Sequence, residues 1–221
     1  MKIQSMTLVS CAFLISACNG ADGGASNSDG GGAGDPSAEV VKFHPQENFC
    51  VEYETSGTFT GMMLECMRKW GTERVEIEDY TIGFGGFTQS QKAHKIYLGD
   101  QIYNINPDTM TGTVTTNPLY NDLSETDAIA LGEAMMANMG MVDSGEDKTI
   151  AGVECNVMTS PQMGSVCLTD NLVMLEQNFA GLNRIAISVD LTSGGADENY
   201  TLHEDAQITE GPDVEAILEA I

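Results

Sequence analysis

The chain has 221 residues, of which 33 are Asp or Glu and only 9 are Lys or Arg, so its formal net charge at pH 7 is −24. Such acidity argues against a nucleic-acid partner, because nucleic acids select basic surfaces, and against direct adsorption to anionic lipid headgroups. The length is sufficient for one domain with a sizeable core, and the ordinary role of such a charge is solubility.

The first predicted element is a secretory signal peptide at residues 1–17. Lys2 supplies one positive charge, and residues 6–15 (MTLVSCAFLI) form an almost uninterrupted apolar run. About ten residues cannot cross a hydrocarbon core of about 30 Å, which needs roughly twenty residues in a helix. A short apolar run behind a basic start is typical of a signal that is removed from the mature chain.

The end of this signal, Ile15-Ser16-Ala17-Cys18, resembles the lipobox of bacterial lipoproteins. The resemblance implies that Ile15, Ser16 and Ala17 occupy the cleavage pocket and that Cys18 becomes the first residue and carries acyl chains. Two or three chains attach a protein stably to a lipid bilayer, whereas one chain binds reversibly. In this family Asn19 at the next position favours the outer membrane, facing the periplasm or the cell surface. The alternative is an ordinary signal peptide that is cut nearby.

Residues 18–38 are predicted to be a flexible tether that begins at the lipidated cysteine. Their sequence after Cys18, NGADGGASNSDGGGAGDPSA, has no periodicity and almost no side chain that could enter a core. Glycine- and serine-rich chains behave as coils, so about twenty residues would hold the domain roughly 25 Å from the bilayer. Residues 39–221 then form the folded domain.

Four cysteines remain in this domain, and an exported protein can keep them oxidised. They are Cys50, Cys66, Cys155 and Cys167. Four cysteines allow three pairings, but residues 55–58 (TSGT) and 160–164 (SPQMG) are typical of hairpin turns within each near pair. Since paired strands approach within the ~5.5 Å Cα separation that a bridge requires, we predict Cys50–Cys66 and Cys155–Cys167. A zinc site is the alternative, although no C-x-x-C or H-x-x-x-H spacing supports it.

Most of the domain is predicted to be β-strand. Residues 95–106 (KIYLGDQIYNIN) carry two β-rich runs around Gly99-Asp100, a pair suited to a hairpin turn. Residues 184–191 (RIAISVDL) alternate strictly, which predicts a strand with Ile185 and Ile187 on its buried side and Arg184 on its wet side. Further strands are predicted at residues 49–53, 62–70, 74–82, 111–115, 152–158, 165–169, 172–176 and 199–203.

Two segments carry helical patterns instead. Ser124 begins a sequence that is typical of a capping box, and the apolar residues that follow it at helical spacing end at Gly140. Near the end of the chain, Pro212 suits a first helical turn before a short apolar stripe. The order of elements therefore predicts an α+β fold with a single curved antiparallel β-sheet, because a sheet of about ten strands seldom stays flat.

The segments GTERVEIEDY (71–80), KIYLGDQIYNINPDTMTG (95–112), IAGVECNVM (150–158) and NRIAISVDL (183–191) follow one another in an order that resembles the LolA/LolB superfamily of lipoprotein carriers. The resemblance implies a half-open barrel that wraps a central helix, with a short C-terminal helix. It also implies that the concave face of the half-barrel holds acyl chains or other apolar molecules. It assigns no functional residue in this chain.

Methionine is the compositional oddity of the domain, with 13 in the chain. Thioethers are flexible and polarisable, so they line adaptable apolar surfaces. The candidates for lining a ligand are Met63, Met67, Leu131, Met135, Met136 and Met139. Two alternatives stay open, namely simple filling of the core and binding of Cu(I) by the thioethers.

No catalytic template is present, since the sequence contains no G-x-S-x-G, no H-E-x-x-H and no P-loop. Glu76 and Glu78 alternate along a predicted strand and are expected to face solvent. We therefore expect a non-enzymatic envelope lipoprotein without a cofactor, which binds or carries a lipid or another apolar molecule. The alternative is a structural or protein-interaction module that contacts another envelope protein.

Overall fold

The structure is a computed structural model and describes residues 42–84, 87–117, 120, 128–179 and 181–211. These residues belong to one compact unit. The signal peptide, the lipid-bearing Cys18, the tether, the capping residue Ser124 and the C-terminal helix are all predictions that lie outside the described residues.

The described chain forms a twelve-stranded sheet with strand order β12-β6-β5-β4-β3-β2-β1-β11-β10-β9-β8-β7. The first six strands are Phe49–Gly57 (β1), Phe59–Arg68 (β2), Glu73–Phe84 (β3), Phe87–Leu98 (β4), Gln101–Asn106 (β5) and Thr111–Thr116 (β6). The last six are Val142–Ile150 (β7), Val153–Ser160 (β8), Gly164–Leu168 (β9), Met174–Phe179 (β10), Leu182–Asp190 (β11) and Gln207–Glu210 (β12). One helix, Ala128–Asn138 (α1), lies between β6 and β7 in the chain.

The sheet is antiparallel except at one edge, where β12 runs parallel to β6. The prediction of a purely antiparallel sheet is therefore wrong at this edge. Most neighbouring strands are joined by tight turns, which force antiparallel pairing. Strand β12 instead follows a long connection, residues 191–206, which is long enough to let the strand pair in parallel with β6.

The sheet curls around a core on one of its faces. Phe49, Val51 and Tyr53 of β1 belong to the same buried cluster as Val157 of β8 and Ile150 of β7. In a flat sheet β7 would lie about 24 Å from β1, because five strand spacings separate them. The shared cluster thus requires strong curvature, and β7 also contacts β11. We call the face that carries Val51 the inner face, and the sheet remains open in the described part of the chain, as in a half-barrel.

A second, smaller core covers part of the outer face. It contains Cys66, Val75, Ile96 and Ile105, with Tyr200 from the 191–206 connection packed on them. We call this connection the crossing segment. Asn199 holds it to the sheet, because its carbonyl oxygen lies 2.7 Å from Nε2 of the buried His94. Both faces of the central strands are therefore covered, and Val75 and Ile96 have no exposed surface.

Strand β11 presents the predicted face at Val189, which packs on the inner cluster, but the opposite face at residues 184–187. Ala186 is buried at 4% exposure, whereas Ile185 and Ile187 are 42% and 47% exposed. The register with β1 shifts at this point, since Glu52 pairs with Ser188 but Tyr53 pairs with Ala186. This bulge adds one residue to β11, so the inward positions change parity along the strand.

Helix α1 ends at the predicted glycine. Gly140 has a φ of +68°, and its N–H donates to the carbonyl oxygen of Ala137 at 2.9 Å. The N–H of Met141 donates to the carbonyl oxygen of Met136 at 3.0 Å. The two bonds form a Schellman motif, which satisfies carbonyls at the helix end. Among the described side chains of α1, none is fully buried.

The sheet does not wrap around the described part of α1. Met136 lines a groove together with Asn156, Met158 and Leu168. On β8 and β9 these side chains alternate with the buried Val157 and Cys167, so they point to the outer face. The prediction of a central helix inside the half-barrel is wrong for these residues. The reason is that the buried cluster on the inner face is built from strand residues and Val173 of the β9–β10 connection, and contains no described residue of α1.

Candidate functional site

The structure contains the two predicted disulfides. Cys50 and Cys66 are directly opposite each other on β1 and β2, with their Cα atoms 4.0 Å apart. Cys155 and Cys167 join β8 to β9 at a Cα separation of 5.4 Å. The two bridges lie in different cores, because Cys66 is buried under the crossing segment and Cys167 belongs to the inner cluster. Each core is thus fastened by one bridge.

The methionines of β2 are core residues. Met63 and Met67 are 3% and 5% exposed and pack in the inner cluster. Glu65 lies between them on the same strand face and is only 12% exposed in its side chain. A carboxylate in this position makes the surrounding surface unlike an apolar ligand pocket. Met63 and Met67 therefore fill the core, which was one of the alternatives for them.

An ion-pair network continues from Glu65 along the inner face, across β2, β3 and β4. Nη2 of Arg74 lies 2.8 Å from Glu65 and 2.7 Å from Glu76. Nζ of Lys95 lies 3.3 Å from Glu76 and 2.8 Å from Glu78. We call these five residues the inner network. Its members share one face because Glu76 is directly opposite both Glu65 and Lys95 in the strand register.

The charges of the inner network stabilise one another. Burial alone would raise the pKa of Glu76, but Arg74 and Lys95 outweigh it, so the pKa of this carboxyl is lowered. Burial would likewise lower the pKa of Lys95, yet Glu76 and Glu78 raise it. Tyr97, whose hydroxyl donates to Glu76 at 3.4 Å, has its pKa raised to about 12 by burial and by that carboxylate. Glu76 and Lys95, at the centre of the network, are thus both charged at neutral pH.

The expectation that Glu76 and Glu78 face solvent is wrong, since they are 7% and 8% exposed. Alternation along one strand cannot reveal which face is covered when both faces carry a core. The sequence did contain one signal for the burial of Glu76 and Glu78, namely that their negative charges complement the positive charge of Lys95. That signal becomes readable only once β3 and β4 are placed in register.

The remaining ligand-lining candidates lie on the helix, away from Met63 and Met67. Met136 lines a groove of about 250 Å³ together with the apolar side chains of Met158, Leu168 and Leu172. Met135 and Met139 are half-buried. The side chain of Leu131 lies outside the described part. The structure therefore separates Met63 and Met67, in the inner cluster, from Met136, in the outer groove.

Two further features, a metal site and a membrane-spanning helix, are absent from the described residues. No cluster of three or more His, Cys, Asp or Glu side chains is arranged to hold a metal ion there. No helix in the same ranges is long and apolar enough to span a bilayer.

No protein-family model and no curated protein matches the chain. Among solved structures, an uncharacterized conserved protein from Thermus thermophilus is 7% identical, with a TM-score of 0.48 over 75% of this chain and 91% of the other. MucB in complex with MucA(peri) is 10% identical, with a TM-score of 0.40 over 78% of this chain and 60% of the other.

A structure of MucB without that partner is 9% identical to this chain, with a TM-score of 0.38 over 77% of this chain and 62% of the other. Similarities at these levels of identity and TM-score do not indicate a function for this chain, which is therefore argued from its own residues. The described residues define a class of protein with an open, curved and mostly antiparallel sheet, the helix α1 and two disulfides.

Proposed function

We propose that this protein is a non-enzymatic binding module of the bacterial cell envelope, which contacts a protein partner through the outer face of its sheet. The observation that carries the proposal is a group of three large apolar side chains on that face. Met62, Ile185 and Ile187 are 36%, 42% and 47% exposed. Single exposed apolar residues are common, but three that stand close together on one face of the sheet mark an interaction surface.

The inner face supports this choice over the carrier hypothesis. A carrier of acyl chains needs an apolar cavity, whereas the inner face holds a packed cluster and the inner network. An acyl chain placed against Glu76 would remove paired charges from their partners, which costs several kcal/mol when the pair is buried. A protein surface contact requires no such displacement.

The groove beside Met136 favours a second candidate, namely binding of an apolar molecule on the outer side of β8 and β9. Its volume of about 250 Å³ falls just below the usual ~300–1,000 Å³ of small-molecule sites. Met136, Met158 and Leu168 would contact such a ligand. The groove matches a short apolar group better than a complete lipid.

The inner network also supports a non-enzymatic role. A general acid needs a pKa near the working pH, but the cations around Glu76 lower the pKa of that carboxyl. Glu78 is held 2.8 Å from Nζ of Lys95. Both carboxylates are therefore committed to ion pairs within the domain.

The anchor belongs to the same proposal. Cys18 would carry the acyl chains, and residues 19–38 would hold the domain away from the bilayer, in the outer membrane. Replacement of Cys18 by Ser should move the protein from the membrane fraction to the soluble fraction. Recovery of this variant in the membrane at the level of the unchanged protein would contradict the anchor, but not the binding role of the domain.

Native mass spectrometry of the protein extracted from its own membrane tests the binding role, after mild cross-linking in the cell. The expected spectrum shows the acylated chain alone and in complex with a second protein. A noncovalent lipid on most molecules, in addition to the covalent acyl chains, would favour the groove or carrier hypotheses instead. Copper would appear as a mass increase that a chelator removes.

A further inference from the structure

The exposed apolar group of the outer face lies beside two carboxylates that belong to the same surface. In the strand register, Glu54 is directly opposite both Ile185 and Met62. Since neighbouring strands are about 4.8 Å apart, Ile185 and Met62 stand about 10 Å apart with Glu54 between them. Glu52, two residues before Glu54 on β1, points to the same face. We call Glu52, Glu54, Met62, Ile185 and Ile187 the outer patch.

The bulge in β11 is what exposes the isoleucines. Ser188 pairs with Glu52 on the outer face, and Ala186 pairs with Tyr53 on the inner face. Ile187 is the extra residue between them and points outward. After the bulge, Val189 returns to the inner cluster. A regular strand could not place Ile187 and Ser188 outward together and still keep Val189 inside.

The crossing segment stops short of the outer patch. Further along β2, Cys66 has no exposed surface because Gly195 and Tyr200 lie over it. Met62, four residues away and on the same face, is 36% exposed. One end of this strand face is thus covered by the chain itself and the other end is open.

The charges of the outer patch define its partner. Glu52 and Glu54 are exposed, and within the described residues neither forms an ion pair with Lys, Arg or His. They belong to a chain of net charge −24. An anionic lipid surface would be repelled. In a symmetric dimer through this face, Glu54 would meet its own copy.

We infer that the outer patch binds a basic amphipathic segment of another protein, whose apolar side chains cover Met62, Ile185 and Ile187 while its lysines or arginines pair with Glu52 and Glu54. This inference rests on the proposed function and adds the place and the chemistry of the contact. Complementary charge would speed association, and the apolar contacts would hold the complex.

Two synthetic peptides test the chemistry, using the full mature chain. They share the same leucines in an amphipathic pattern and carry either lysine or glutamate at every polar position. Fluorescence anisotropy should show binding of the lysine peptide alone. The double variant Ile185→Ser and Ile187→Ser should weaken this binding at least tenfold. Val142→Ser, which alters an apolar residue of β7 that is 59% exposed, should leave it unchanged.

Two double variants with the same change in net charge separate the effect of the outer patch on binding from the effect of the overall charge. Glu52→Gln with Glu54→Gln should weaken binding and flatten its salt dependence, because two specific ion pairs are lost. Glu154→Gln with Glu210→Gln removes the same charge from exposed positions elsewhere and should have less than a twofold effect. Equal losses in the two double variants would overturn the inference, since net charge alone would then explain the binding.

A photoreactive residue in the producing cells tests the place of contact. It is introduced separately at Ile185, at Val142 and at Asn104, an exposed position on the inner face. The expected cross-link forms at position 185, to a peptide that mass spectrometry identifies as rich in lysine or arginine. A cross-link at 185 to an acidic segment would overturn the inference and leave the proposed function standing. Cross-links at 142 or 104 alone would overturn both, because these positions lie on the inner side of the sheet. No protein cross-link at any position would overturn both.

Discussion

Gly195 lies directly against Cys66, so closely that a Cβ atom at position 195 would stand 2.8 Å from Sγ of Cys66. The glycine also has a φ of +81°, a conformation that side-chain-bearing residues rarely adopt. The crossing segment thus passes over the Cys50–Cys66 disulfide at a distance that only glycine permits. This contact positions Tyr200 on the second core.

Gly195→Ala should therefore lower the free energy of unfolding by about 2–4 kcal/mol, through the strained φ and the clash with the disulfide. Gly152→Ala is a matched control, because Gly152 has a φ of +83° but open space around it. The control should lose only about 1 kcal/mol, from the backbone conformation. Urea denaturation of the two variants measures the difference. Equal losses would mean that the crossing segment does not pack on the disulfide.

Glu76→Gln tests the inner network. The change leaves Arg74 with Glu65 alone and Lys95 with Glu78 alone, so we expect a loss of about 2 kcal/mol, between the values for exposed and fully buried pairs. Glu176→Gln is the control, because its ion pair with Lys148 is more exposed, and it should lose less than about 1 kcal/mol. Chemical denaturation at neutral pH provides both values.

The same variant has a pH signature. The pKa of Glu76 is lowered from its ordinary value of 4.5 in the folded state, so its contribution to stability is present above pH 4.5 and is lost as pH falls through the folded pKa. The difference in stability between the unchanged protein and Glu76→Gln should shrink below pH 4.5. A difference that stays constant there would show that the charge of Glu76 is not what stabilises the network.

Local signals predicted the parts of the fold that depend on neighbouring residues. The Gly99-Asp100 turn, the end of α1 at Gly140 and the two hairpin disulfides follow from turn chemistry within a few positions. Strand β7 was missed because its sequence, VDSGEDKTI, is acidic and has no apolar period. It is held by pairing with β8 along its length and by Ile150, which joins the inner cluster at its end.

Long-range relationships could not be read from the sequence. The alternation of β11 predicted the wrong exposed face before the bulge near Ile187 and the right one after it, at Val189, because the bulge shifts the parity of the strand. Residues 199–203 were predicted as strand, but Asp197–Tyr200 forms a 3-10 turn in the crossing segment. The pairing of Lys95 with Glu76 depends on a register between strands that no local pattern specifies.

Removal of either disulfide should cost about 3 kcal/mol, since the bridges close loops of 16 and 12 residues. The double variants Cys50→Ser with Cys66→Ser, and Cys155→Ser with Cys167→Ser, measure this cost by urea denaturation. Alkylation of the unfolded domain without reductant, followed by mass spectrometry, should label none of these four cysteines. Labelling of all four would contradict the bridges, and a mixed pattern would identify the one that is absent.

His44 should make the protein less stable in mild acid. Burial lowers its pKa from 6.5 to about 4 in the folded state, while its Nδ1 accepts a hydrogen bond from the backbone N–H of Gln46 at 3.0 Å. The unfolded chain takes up a proton near pH 6.5 and the folded chain does not. Stability should thus fall as pH drops from 6.5 to 4, by about 3 kcal/mol at most from this residue.

His44→Asn removes the titrating group and keeps a side-chain acceptor near the N–H of Gln46. The variant should flatten the stability profile between pH 6.5 and 4, and the remaining slope should reflect His94, whose pKa is also lowered by burial. Thermal denaturation across this range gives the profile, and proton NMR of the imidazole gives the pKa directly. An imidazole that titrates near its ordinary pKa of 6.5, with an unchanged slope in the variant, would show that His44 is hydrated rather than packed beside Phe49.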